Sequence, residues 1–270
     1  MTIVLSVIGL AAVAYALILL WVYARQSRRV YRPLRELIAA PAARGLAYDD
    51  VIFTAEDGVR LHGWYVPRAD ARYVLLFFHG NTRNISWCLD SLELFHRLGF
   101  STFLFDYRGY GRSEGRPDEA GTYRDARAAW EYLVRERGIE AGRIVMLGRS
   151  LGGAIAAWLA ARHAPRALVL ESTFLSFPDV AAELHPRLPA RLLARYRYPV
   201  KEYLREVRSP VLVIHSRDDE LIPYRHGCQL YEVAGEPKRL ASIAGPHYNG
   251  YLLSGEQYAE ALARFFAEHL

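Results

Sequence analysis

Ser150 sits at the centre of the stretch IVMLGRSLGGAIAA, residues 144–157, with a glycine two positions to either side. An apolar run leads in and small residues lead out. This pattern predicts a sharp turn at which a strand hands over to a helix. Such a turn crowds the residues two before and two after the serine, and glycine at 148 and 152 relieves the clash. The hydroxyl is then exposed at the helix start, and the N–H of Leu151 is left to donate to an oxyanion. The chemistry on offer is nucleophilic attack on a carbonyl. The plainer alternative is that Ser150 caps the helix, a position serine favours, but a cap does not call for glycines on both sides. Two phosphate-binding patterns fail. Gly153 is followed by Ala154 and Ile155 rather than the lysine and hydroxyl of a P-loop, and Gly109-Tyr110-Gly111 is followed at 114 by Glu rather than a third glycine.

A serine alone is a poor nucleophile and needs a base oriented by an acid. The order expected for this kind of turn is serine, acid, histidine, each on a loop after a strand. VLVIHSRDDELIP supplies Asp218 and Asp219 just past one apolar run, and IAGPHYNG supplies His247 just past the next. His215 ends a strand and reads as a hydrogen-bonded core group. His163 and His226 fall on helical patterns and read as surface residues, and Asp106 with RGYGRSEG reads as a loop beside the pocket.

These side chains need a scaffold to meet. Strands are predicted at 73–80, 101–107, 143–148, 167–172, 210–216 and 239–245, preceded by two around the turn Glu56-Asp57-Gly58. Helical patterns fall near 84–98, 121–137, 151–163, 224–234 and 254–269. Near-continuous apolar strands alternating with helices predict an α/β fold, a mainly parallel sheet covered on both faces. In such sheets functional residues gather beyond the carboxyl ends of the strands. Residues 173–209, rich in Pro, Arg, Leu and Tyr, break the alternation and read as a lid insertion.

The 270 residues carry a net charge of +5, but six arginines and one acid lie within residues 1–45, and the remainder holds 28 basic and 28 acidic side chains. The folded part is neutral, which removes the basis for a nucleic-acid partner. Cys88 and Cys228 lie far apart without metal-ligand spacing, which speaks against a disulfide framework and a zinc site. Residues 3–24 carry no charge and as a helix would reach about 33 Å, enough to cross a bilayer. Trp21 and Tyr23 stand at the end where the arginines begin. The expected organisation is a transmembrane anchor at 1–24, a juxtamembrane connector at 25–47 limited by Pro33 and Pro41, and a catalytic domain at 48–270. The arginines place that domain on the cytoplasmic side. A cleaved signal peptide is the rival, but it would want a basic start and a shorter apolar run.

Taken together, FFHGN, FDYRGYGRSEG, GRSLGGA, ESTFLSFP, DDELIP and PHYNG resemble the α/β-hydrolase-fold serine hydrolases over residues 48–270. The likeness is to their single-pass, membrane-anchored branch, which has protein-depalmitoylating relatives. The resemblance implies that the acid lies four residues before the proline of a D-x-x-[I/V]-P pattern, which is Asp219, with Asp218 a turn residue. Glu171 is an alternative, since some relatives use that position. It further implies a second oxyanion donor at the N–H of Asn81, after His79-Gly80, beside that of Leu151, and a structural role for His79. The family usually carries glycine before the histidine, where this chain has Pro246. The implied activity is hydrolysis of an ester or thioester through an acyl-enzyme on Ser150, with His247 as base and no metal or organic cofactor. The expected substrate is a small-molecule or lipid-like ester, or an acylated protein near the membrane. A peptidase or amidase on the same fold, and a non-catalytic tethered binding module, are the alternatives. The arginines and leucines of residues 185–199 read either as a solvated insertion or as a face against an anionic leaflet.

Overall fold

The computed structural model describes residues 2–270. Eight strands form the central sheet: β1 (Asp49–Thr54), β2 (Arg60–Val66), β3 (Val74–Phe78), β4 (Ser101–Asp106), β5 (Ile144–Arg149), β6 (Ala167–Glu171), β7 (Val211–Ser216) and β8 (Lys238–Ile243). Their spatial order is β8-β7-β6-β5-β3-β4-β2-β1. β1 and β2 form an antiparallel hairpin and β2 runs antiparallel to β4, while every other pairing is parallel. The strands predicted from apolar runs are all present, with ends shifted by one or two residues.

Side-chain alternation along the central strands builds two cores. Leu76 and Phe78 of β3 join one cluster, with Phe103 and Phe105 of β4, while Leu75 and Phe77 join the other. Helices α3 (Glu119–Glu131), α4 (Leu151–Ala160), α7 (Val200–Leu204) and α8 (Arg225–Val233) close the first face, and α2 (Leu89–Arg97) with α10 (Gly255–His269) closes the second. Because both faces are covered, β3 reads as five buried apolar residues in a row rather than as an alternating strand. The parallel register, with Phe78 opposite Gly148 and Arg149 opposite Glu171, brings the carboxyl ends of β3, β5 and β6 to one edge of the sheet. The β7 and β8 ends fall at the same edge, since Ser216 lies opposite Ile243.

Two regions go beyond the sequence expectation. The N-terminal helix α1 runs unbroken from Thr2 to Val30, through the first six residues of the segment expected to be a connector. Its apolar part, with a mean hydropathy of 2.8, is long enough to cross a bilayer, and its most apolar stretch is not buried against the rest of the described residues. Its last turns, by contrast, are part of the folded body: Gln26 and Val30 are buried, as is Tyr31 just past the helix end. Beyond them, Arg32–Pro33 pairs in parallel with Thr82–Arg83, a short sheet that no apolar pattern announced. The insertion after β6 folds into α5 (Phe177–Leu184), α6 (Ala190–Leu193) and then α7. Helix α9 (Gly250–Leu253) follows the loop that carries His247.

Candidate active site

Strand β5 ends at Arg149 and α4 begins at Leu151, so Ser150 alone makes the turn. Its backbone has φ 55° and ψ −121°, a left-handed conformation that a non-glycine residue adopts only when its surroundings impose it. Those surroundings are hydrogen bonds on both sides. Ser150 N–H donates to Glu171 O at 2.8 Å, and its carbonyl accepts from Thr173 Oγ1 at 2.7 Å. Glycine is required at 152 because a Cβ there would lie 2.1 Å from the Phe78 carbonyl oxygen. The Ser150 side chain caps nothing. It turns instead toward His247, with 3.0 Å between Oγ and Nε2.

His247 follows β8, and its other ring nitrogen, Nδ1, lies 2.8 Å from Asp219 Oδ2. A carboxylate only accepts, so Nδ1 carries the proton and Nε2 is free to accept from the serine hydroxyl. Asp219 follows β7 and is held by its own turn: its Oδ1 accepts from Leu221 N–H at 3.0 Å and Ile222 N–H at 2.7 Å. Burial pushes the Asp219 carboxyl up, but the hydrogen bond and charge of His247 with the Ile222 N–H outweigh it. The net pKa lies below the ordinary aspartate value, and the group is a carboxylate. Glu220 Oε2 accepts from His247 N–H at 3.0 Å and fixes the loop in which Pro246 replaces the usual glycine.

The other acids are engaged elsewhere. Asp218 braces the opposite loop by accepting from Gly245 N–H at 3.0 Å. Glu171 binds Arg149 Nε at 2.6 Å and Tyr258 O–H at 2.7 Å, while the Arg149 guanidinium lies 3.6 Å from the centre of the Tyr251 ring. Asp106 is fully buried, which pushes its carboxyl well above the usual range, and its Oδ1 accepts from Ile85 N–H. His79 is also buried. Burial lowers its pKa to about 4, its Nδ1 lies 2.7 Å from Gly80 O, and its ring packs against Tyr107. These contacts anchor the turn that presents Asn81. No hydrogen bond reaches the N–H of Asn81 or of Leu151 among the described residues. His215 is a core group as expected, with Nε2 2.7 Å from Ile222 O and its pKa lowered by burial. His163 is half-buried against Trp130. His226 is not a surface residue: it is wholly buried, its Nδ1 accepts from Leu175 N–H at 3.2 Å, and its Nε2 lies 3.0 Å from Glu183 of α5. The insertion covers a helix face that the sequence pattern alone leaves to solvent.

Ser150, Leu151 and Asn81 open onto one cavity of about 360 Å³, within the range of small-molecule sites. Its walls are mostly apolar, with Phe177, Val180, Leu184 and Leu193 from the insertion. The sequence reading missed a third wall: Val22, Gln26, Arg29 and Val30 from the end of α1. The only signal was their spacing, which puts all four on one helix face. Among the described residues no group of His, Cys, Asp and Glu is arranged to hold a metal ion.

Sheet order, the turn at Ser150 and the hydrogen-bonded Ser150, His247 and Asp219 define an α/β hydrolase of the serine type. Comparison with known proteins agrees. The family described as serine aminopeptidase, S33 matches residues 69–205. Rv2307c of Mycobacterium tuberculosis is 36% identical over 98% of this chain and 95% of its own. The α/β hydrolase domain-containing protein WAV2 of Arabidopsis thaliana is 31% identical over 90% of this chain and 88% of its own. An esterase of Pyrococcus furiosus superposes with a TM-score of 0.77 at 21% identity, covering 89% of this chain and 98% of that one. The chain belongs to this α/β-hydrolase family.

Proposed function

We propose that this protein is a serine hydrolase that cleaves a carboxylic ester or thioester through an acyl-enzyme on Ser150. The observation that carries the proposal is the unbroken hydrogen-bonded chain from Ser150 Oγ through both nitrogens of His247 to Asp219 Oδ2. His247 Nε2 takes the hydroxyl proton as Oγ bonds to the carbonyl carbon. The N–H groups of Asn81 and Leu151 hold the oxyanion of the tetrahedral intermediate. As the intermediate collapses, the imidazolium returns its proton to the departing alkoxide or thiolate, and Asp219 keeps the ring in the required tautomer. Water then repeats the sequence on the acyl-enzyme, releasing the carboxylic acid and regenerating the serine. No step calls for a metal or organic cofactor.

The apolar cavity supports an acyl or lipid-like substrate, either free or carried on a protein. The long apolar helix supports a single-pass anchor, and the arginines that follow it support a cytoplasmic position for the domain. The family description names a peptidase, but an aminopeptidase needs an acid to receive the substrate's α-ammonium. Neither Asp nor Glu lines the cavity among the described residues, which favours the ester over the peptide.

The test is labelling of the full chain by a fluorophosphonate, with turnover of p-nitrophenyl butyrate measured in parallel. Ser150→Ala is expected to abolish both. Labelling that persists in Ser150→Ala places the nucleophile elsewhere, and absence of turnover in the unaltered protein favours a binding module.

A further inference from the structure

Helix α1 is joined to the site, not merely tethered near it. Asn81, which lines the cavity, donates from Nδ2 to Val30 O at 2.7 Å, and its carbonyl accepts from Arg32 N–H at 2.9 Å. Gln26 clamps the lid with both ends of its amide, donating to Leu193 O at 2.6 Å and accepting from Arg195 N–H at 2.9 Å. Tyr31 O–H lies 2.7 Å from Tyr198 O–H, and the Arg195 guanidinium lies over the Tyr23 ring.

The wall that α1 contributes has a definite chemistry. Val22 and Val30 are apolar, and Val22 adjoins the exposed apolar stretch that ends at Trp21. A hydrocarbon chain lying on the exposed helix would therefore meet apolar surface continuously into the cavity. Arg29 and Arg32 also line it. Among the described residues neither guanidinium is paired with a carboxylate. Arg29 leans back 5.1 Å over the Trp21 ring, toward the apolar segment. With two cations and no acid in an apolar wall, the complementary ligand is an amphiphile whose head is anionic.

We propose that the last two turns of α1, with Arg32, are a substrate subsite that selects an acyl ester of a phosphate-bearing amphiphile. Val22 and Val30 lie against the acyl chain, and Arg29 and Arg32 receive the phosphate. The inference rests on the hydrolase reading above and names its substrate class. Cleavage breaks the acyl C–O bond by the steps already given and leaves the phosphate on the departing alcohol.

The experiment compares two esters that differ only in the phosphate, palmitoyl lysophosphatidate and monopalmitoylglycerol, in mixed micelles with the full chain. The expected kcat/KM ratio favours the phosphate ester about tenfold, a modest factor because both guanidinium groups are exposed. Arg29→Gln with Arg32→Gln is expected to bring the ratio within about twofold of one. Both residues are exposed, so the double variant keeps its packing. Arg28→Gln, on the same helix but outside the cavity wall, is expected to keep the preference. Equal, measurable turnover of both esters by the unaltered protein, or an equal loss of preference in Arg28→Gln, overturns the subsite. Binding of both amphiphiles to Ser150→Ala protein by titration calorimetry separates the two levels. Tenfold tighter binding of the phosphate ester without turnover in the unaltered protein upholds the subsite and refutes the hydrolase reading. No preference in binding, whatever the turnover, refutes the subsite.

Discussion

Gly152→Ala probes the packing that holds Ser150 against the end of β3. A Cβ at this position would lie 2.1 Å from Phe78 O and 2.5 Å from His79 O, where real Cβ contacts do not fall below 3.0 Å. Both obstacles are backbone atoms of the segment that leads to Asn81, so no rotamer change relieves them. Helix α4 and the β3 end must part by roughly 1 Å, and a shift of that size between nucleophile and oxyanion donor costs on the order of 10² in rate. The overpacking itself costs about 1–3 kcal/mol or more. Two other glycines calibrate the effect. At Gly153 the added carbon meets the Thr173 side chain at 2.7 Å, and at Gly142 it meets nothing within 4 Å. Thr173 yields only by giving up its hydrogen bond to Ser150 O. The expected order of damage is therefore Gly152→Ala, then Gly153→Ala, with Gly142→Ala within about 0.5 kcal/mol of the unaltered protein. The assay is urea unfolding together with kcat/KM on p-nitrophenyl butyrate. If Gly152→Ala matches Gly142→Ala in both measurements, the close approach of α4 to β3 is not what positions the serine.

Asp219→Asn is expected to lower kcat by about 10⁴, because an amide no longer holds the His247 tautomer, whereas Asp218→Asn costs less than about tenfold; stopped assays on the same ester separate them. The Asp219 carboxyl has a folded-state pKa below its unfolded value, so its stabilisation is complete above the unfolded value, about 3.9, and is lost as pH falls through the folded one. The gap in urea midpoint between the unaltered protein and Asp219→Asn should accordingly shrink as pH is lowered below 4, and a gap that widens there contradicts the assignment of charge. Gln26→Ala removes two hydrogen bonds between α1 and the lid, about 2 kcal/mol together, and hydrogen exchange at Arg195 N–H is expected to quicken about 30-fold. Unchanged exchange would mean that the lid is held by its apolar contacts alone.

What the sequence determined by itself is local. The turn at Ser150 is legible because one of its clashes is local: a Cβ at Gly148 would lie 2.4 Å from Gly152 O, four positions on, whereas the need for glycine at 152 is set by the distant carbonyls of Phe78 and His79. The alternation of apolar runs with helices is legible because a sheet covered on both faces demands it of each strand separately. The order serine, acid, histidine follows from which strand ends share an edge, and this parallel fold has few such orders. The choice of Asp219 over Asp218 came from a pattern whose reason lies in its own turn, where Leu221 and Ile222 N–H groups grip the carboxylate. The tertiary structure decided what depends on surfaces meeting across long stretches of chain. Gln26 reaches Arg195 across 169 positions, and nothing in either neighbourhood announces the other. His226 looks like a surface residue until the insertion folds over it, because a helix pattern records which side faces its own sheet and not what later covers the other. The cavity wall contributed by α1 is of the same kind. Apolarity makes most of that helix a candidate membrane span, and only packing against the insertion after β6 makes its last turns a cavity wall.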